Sequence, residues 1–384
     1  MRLSSLALVL PLVLSSGHSQ ADFFEQFVDP TDGRMDASQW LMDNAVGFLP
    51  VPIIITDPAV GYGGGLVLAF FHENEELQNE QPDDPNAPLK LTPSVSGLLG
   101  LATENGTRGA GAFHMGIWKQ DSIRYIGAIA GVDANIDSFR LPSEGAVGDI
   151  PIRVNLKGTY LLQQIRFRLG DSPWFAGAKY TFLNSDSEFS IGNLPDYLKP
   201  QLSMKDGGVS LLLNYDTRDN SFSPNQGLYG NISYAKHADY FGGDNDYSIA
   251  SGEFSGFSYL GNSFQGSMRL SASSAHGDTP YYALPFIDMR GIPAMRYQGE
   301  RMATLQGELR YDFDARWSAV VFGGVGQAFS SEQNLGDTPN RYAKGLGFRY
   351  LMARRFNLRT GIDVARGPED TTLHFIVGAG WSDF

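Results

Sequence analysis

The sequence predicts an all-β protein, a transmembrane antiparallel β-barrel of about 16 strands. Three observations carry that reading. Segments of about 10–13 residues recur in which apolar and polar side chains alternate, the period of a strand with two unlike faces. The links between them alternate between tight turns and long polar stretches, as in barrels that keep short turns on one side of a membrane and long loops on the other. Glycine makes up 45 of 384 residues, well above the roughly 7% of average usage, while charged residues are only 18%. No stretch approaches the roughly 20 consecutive apolar residues of a membrane helix. A slightly negative mean hydropathy agrees with strands that turn one polar face inward.

At the N-terminus, Arg2 precedes an apolar run over 3–14. Ser19 and Ala21 are small residues at −3 and −1 of a cleavage after Ala21. Residues 1–21 therefore read as a secretory signal peptide. Residues 22–46 are polar and mixed, and read as a periplasmic N-terminal segment. Asp36 is placed to cap a short helix through Ala45 carrying Trp40 and Leu41; a leader without regular structure is the alternative. The segment is too short for a separate globular domain.

The barrel takes residues 47–384. Its first strand, 47–56, carries Pro50 and Pro52, acceptable near a strand start or an edge. Next come a glycine-rich strand at 60–71 and strands at 92–102, 107–118, 123–134, 153–169, 174–184, 207–216, 227–237, 247–259 and 263–275. The last five are 301–313, 316–328, 342–352, 356–366 and 371–381. Tight links fall at 119–122, 170–173, 260–263, 314–315 and 354–355. Long ones fall at 135–152, 185–206, 238–246, 276–300 and 329–341. With 47–56 counted, the total is even, as bacterial barrels require. The acidic, proline-bearing link 72–90 then falls on the periplasmic side.

Alternation is strictest in 301–313. Ala303, Leu305, Gly307, Leu309, Tyr311 and Phe313 share one face, and Met302, Thr304, Gln306, Glu308, Arg310 and Asp312 share the other. In 263–275, Phe264, Met268 and Leu270 oppose Gln265, Ser267 and Arg269. In 356–366, Phe356, Leu358, Ile362 and Val364 oppose Asn357, Arg359, Asp363 and Ala365. Tyr311, Phe313 and Trp317 flank a tight turn, as an interfacial aromatic girdle would.

The net charge of −13 argues against nucleic acid, which is bound chiefly through Lys and Arg. The absence of cysteine excludes disulfides and thiolate metal sites. His72, His114, His237, His276 and His374 show no pair at metal-ligand spacing. The run Ser271, Ser273, Ser274 and His276 resembles no nucleophile motif. The glycines at 61–65 and 323–326 lack the Gly-Lys-Ser/Thr of a phosphate loop and suit bends and close packing in strands. No cofactor, metal site or enzymatic activity is expected.

Several stretches together resemble the Omp85 superfamily, the BamA/TamA-like bacterial surface antigen barrels. Asp216-Thr217-Arg218-Asp219-Asn220, followed by Pro224 and Gly227, is similar to that family's periplasmic turn. Met289-Arg290-Gly291-Ile292 is similar to its loop-six signature, with Ile292 where the family has an aromatic. Phe322 to Gly326 resembles a strand motif with Gly324 where the family has an acid. Gly345 to Tyr350 and Phe375 to Trp381 resemble its closing strands. The likeness is good over 200–384 and looser over 47–200. It implies a lumen lock in which Arg290 and Gly291 reach an inner-wall acid, Asp363, with Glu308 and Asp312 as alternatives. It also implies a C-terminal targeting signal in Phe375, Trp381 and Phe384, read by the machinery that assembles barrels. The periplasmic POTRA domains of the family do not fit into residues 22–46, so a barrel lacking them is expected. The function so implied is that of an integral protein of the Gram-negative outer membrane, in contact with its lipid and lipopolysaccharide. It would aid envelope biogenesis or move polypeptide or lipid. A passive pore or structural barrel is the alternative, and an outer-membrane hydrolase is third.

Overall fold

Period-two alternation along nearly the whole chain favours one arrangement, a sheet curled until its first and last strands meet and no edge is left exposed. The computed structural model describes residues 27–43, 48–56, 60–72, 94–138, 152–191 and 201–381, and it is a nearly closed barrel in which the first and last strands come together without a paired ladder between them. The strands are β1 Phe48–Ile55, β2 Gly63–His72, β3 Ser94–Thr103, β4 Arg108–Trp118, β5 Ile123–Ser138 and β6 Ile152–Arg168. They continue as β7 Trp174–Ile191, β8 Gln201–Asp216, β9 Gly227–His237, β10 Tyr247–Tyr259 and β11 Phe264–Gly277. The last five are β12 Arg301–Asp312, β13 Trp317–Phe329, β14 Arg341–Ala353, β15 Leu358–Arg366 and β16 Thr371–Val377. Each pairs antiparallel with the next in sequence order. β1 comes to lie beside β16, where the Thr56 hydroxyl donates to the Leu373 carbonyl.

The two faces sort as the alternation requires. Leu211, Ile232, Leu270, Leu305, Val321, Phe348 and Ile362 are exposed on the outer wall, where lipid would lie. Their neighbours Leu212, Thr304, Gln306, Val320, Arg349 and Asp363 are buried inside. Trp118, Phe167, Trp174, Tyr259, Phe264, Tyr311, Phe313 and Trp317 ring the outer wall at the turn end, the girdle expected of an interface.

Several expectations are corrected. β5 continues to Ser138, β7 to Ile191, and β8 begins at Gln201. The strands project past the apolar band, where polar residues such as Asn135, Asp137, Ser185 and Ser187 read as loop. Phe356 does not belong to β15. It lies in the β14–β15 turn and is buried against Ala37 and Ala353. β16 stops at Val377, and residues 378–381 bend away from the wall. Residues 1–21, the link 73–93 and Phe384 lie outside the described residues.

Residues 27–43 of the N-terminal segment are folded. Helix α1, Ser38–Asp43, follows Asp36, whose Oδ1 accepts from the Ser38 amide at 2.6 Å. Residues 27–37 lie across the β12–β13 and β14–β15 turns. Arg316, fully buried, donates to Asp29, Asp32 and Asp36. Arg354 donates to Asp32 at 2.7 Å. The Ala37 amide bonds the Met352 carbonyl at 2.7 Å, and Phe27 stacks on Trp40 at 5.6 Å.

Candidate functional site

The long β11–β12 connection, residues 278–300, turns inward rather than out into solvent. It descends as a narrow hairpin: Phe286 bridges Gln298, and the Ile287 amide bonds the Tyr297 carbonyl at 3.0 Å. A turn closed by the Ile292 amide on the Met289 carbonyl puts Arg290 and Gly291 at the tip. Gly291 has φ 94°, a left-handed value that side-chain-bearing residues rarely adopt. Its carbonyl also packs so closely on Gly367 that a Cβ at 367 would come within 1.9 Å of it.

Arg290 faces two acids at once. Its Nη1 donates to Asp363 Oδ2 at 2.5 Å and its Nη2 to Glu308 Oε2 at 2.7 Å. The guanidinium lies 3.6 Å over the Phe322 ring and 5.3 Å from Trp381. Arg349 donates to both oxygens of Asp363, so that carboxylate is shared by two arginines. Glycine on the wall makes this possible: a Cβ on Gly347 would sit 1.9 Å from Asp363 Oδ1. Such charge-assisted contacts in a low-dielectric recess are strong when every member is paired.

Apolar packing holds the rest of the loop. Ile287, Met289, Ile292 and Tyr297 form a buried cluster with Ala343. Gly324 leaves room for Met289, because a Cβ there would lie 2.8 Å from Met289 Sδ. Near the loop rim, Arg296 and the Tyr297 hydroxyl both bond Glu369, at 2.8 and 2.6 Å. Burial raises the Glu369 carboxyl, but these two donors outweigh it and hold it below its ordinary range.

Of the sequence-predicted residues, the structure brings Arg290, Gly291, Glu308 and Asp363 together, while Asp312 pairs instead with Arg310 at 2.9 Å. Phe375 is exposed on the outer wall. Trp381 is buried on the inside beside Arg290. Ser271 and Ser273 face inward while Ser274 and His276 lie on the outer face, so they form no single set. Arg349 was missed, although its position in the glycine-bearing stretch two strands after Glu308 was a usable signal. The turn over 217–226 also does more than reverse the chain. It reaches across the turn end: Asn357 Nδ2 donates to the Ser223 carbonyl at 2.8 Å and the Ala379 amide to Phe222 at 2.7 Å.

No protein-family profile matches the sequence, and no curated protein does. Solved structures do. BamA from Haemophilus ducreyi lacking POTRA domains 1-3 superposes with a TM-score of 0.53 at 12% identity, over 86% of this chain and 69% of that one. The chain shares its barrel fold with that structure. CdiB from Escherichia coli agrees, with a TM-score of 0.55 at 11% identity over 85% of this chain and 62% of that one. CdiB from Acinetobacter baumannii gives 0.51 at 10% identity over 86% and 59%. The chain thus spans less than two thirds of either CdiB. At these identities the likeness speaks for the fold, and the inward loop with its arginine is a property of this chain's own side chains.

Proposed function

We propose that the chain is an integral barrel of the Gram-negative outer membrane, whose inward loop acts as a lumenal plug in envelope biogenesis or in the passage of polypeptide or lipid. The observation that carries this reading is Arg290, which ties the loop tip to Asp363 on β15 and Glu308 on β12. A loop fixed to the wall at its tip, at Met289 and at Glu369 narrows the lumen, whereas a passive pore would keep it open. Residues 1–21 act as the export leader in this reading, and 22–46 stay on the periplasmic side. Exposure of Phe375 on the outer wall supports a part for it in recognition by the barrel assembly machinery, with Trp381 and Phe384 near it in sequence.

Planar-bilayer recording of the refolded barrel, with and without residues 281–299, tests the plug. Low conductance that rises on deletion is the expected result. Steady, equal conductance from both forms would replace this reading by the passive pore. Loss of other outer-membrane proteins on removal of the gene tests the biogenesis role.

A further inference from the structure

Away from the loop tip, the inner wall of β5–β8 carries cations that its carboxylates do not balance. Three acids lie there or in the adjoining turn, Asp121, Asp206 and Asp216, and all are taken. Asp206 bonds His237 and accepts from the Tyr247 hydroxyl at 2.6 Å. Asp121 accepts from Arg124 at 2.6 and 2.7 Å and from Arg168 at 2.6 Å. Asp216 accepts from Arg124 at 2.6 Å and from Arg218 at 2.9 Å. Arg166 stands directly opposite Arg124 in the β5–β6 register, a like-charge cross-strand pair that is unfavourable unless something compensates it. Arg166 is 6% exposed, beside Tyr229, and its Nε has no hydrogen-bond partner. Lys179 follows on β7, opposite Gln164 and one inward position from Arg166. Neither Arg166 nor Lys179 has a carboxylate partner among the described residues. In a chain of net charge −13 such a pair is not a by-product of basic composition.

We infer that Arg166 and Lys179 form an anion-binding subsite in the lumen, built for a phosphoryl group. A planar guanidinium with an unused N–H and an ammonium beside it match the several oxygens of a phosphate: the fork sets direction and the lysine adds a point charge. Inorganic phosphate and the headgroup of an anionic phospholipid share that chemistry. The inference rests on the barrel fold and on this wall, not on the loop acting as a plug.

The test is ³¹P NMR of the refolded full chain in nonionic detergent, titrated separately with inorganic phosphate and with dihexanoyl phosphatidylglycerol. Dihexanoyl phosphatidylcholine, which has no net charge, is the control. Saturable line broadening is expected with at least one anionic probe and not with the control. Which probe saturates at lower concentration tells free phosphate from a lipid headgroup. Lys179→Gln and Arg166→Gln are each expected to weaken binding about tenfold or more, the loss of one charge-assisted contact. Lys179 is only half-buried, so its variant keeps the test open where Arg166→Gln does not fold, as judged by heat-modifiable gel migration. No saturable broadening with either anionic probe, equal broadening by the control, or unchanged affinity in folded Lys179→Gln would each overturn the inference.

Discussion

Removing Arg290 and neutralising Asp363 perturb the same ion pair, yet the structure makes their effects unequal. Arg290→Ala deletes two charge-assisted hydrogen bonds and the guanidinium stacked over Phe322. Asp363 keeps a partner, because Arg349 donates to both of its oxygens, and Glu308 retains Arg349 at 3.8 Å. The side chains of Arg290, Arg349 and Asp363 are 8%, 3% and 0% exposed, so solvent screens little. Bonds to charged groups contribute about 1.5–3 kcal/mol each. With Arg349 compensating, a loss of about 2–3 kcal/mol is expected for Arg290→Ala. Asp363→Asn instead leaves Arg290 and Arg349 in one recess with Glu308 as the remaining carboxylate. Stripping a buried ion of its partner costs about 3–5 kcal/mol, so this variant is the weaker barrel. Exchanging the pair, Arg290→Glu with Asp363→Arg, is not expected to restore stability, since the new arginine would face Arg349. The assay is urea unfolding of the refolded protein, followed by its heat-modifiable gel migration, with protease cleavage of 278–300 as the readout of loop release. Equal midpoint shifts for Arg290→Ala and Asp363→Asn, or full rescue by the exchange, would refute the sharing of Asp363 by two arginines.

Other consequences are open to measurement. Gly324→Ala puts a methyl group 2.8 Å from Met289 Sδ, an overpacking expected to lower stability by about 1–3 kcal/mol in urea unfolding. Gly367→Ala brings a Cβ to 1.9 Å from the Gly291 carbonyl and should expose 278–300 to protease while leaving the strands folded. Bonding from Arg316 holds Asp32 at about 2, below its ordinary value of 3.8. A lowered acid stabilises above its unfolded value and loses that contribution as pH falls through its folded one. N-terminal docking should therefore be constant from neutral pH to about 4 and weaken between 4 and 2. The difference in emission between wild type and Trp40→Phe across that range reads it, and a change centred near pH 6 would contradict it. Arg316→Gln leaves three aspartates facing Arg354 and should free the segment at neutral pH, seen as cleavage within 27–43.

Why some of this was legible in the chain and some was not follows from range. Whether β12 forms a strand depends on side chains two residues apart, and Leu305, Leu309 and Tyr311 against Thr304, Gln306 and Arg310 display that locally. The upper parts of β5, β7 and β8 stand clear of the apolar band, and residues such as Asn135, Asp137, Ser185 and Ser187 read there as loop. Arg290 and Asp363 were joined by resemblance, 73 residues apart, and not by any physical pattern within the chain. The glycine-bearing stretch marks Arg349 in the chain, but its partner Asp363 follows only from the β14–β15 register. Asp36 is legible as a helix cap, but nothing local joins Asp29, Asp32 and Asp36 to Arg316 and Arg354, which hydrogen-bond them across 280 to 322 residues.

By itself, then, the sequence determined the approximate number of strands, the two faces of the wall and the alternation of turn and loop, because those depend on a side-chain period that every short segment repeats. Closure of the sheet decided the rest. Only when β1 meets β16 do residues from distant strands share one lumen, so that a glycine at 324 becomes a seat for Met289, Trp381 turns in beside Arg290, and Arg166 is left facing Arg124 with no acid between them.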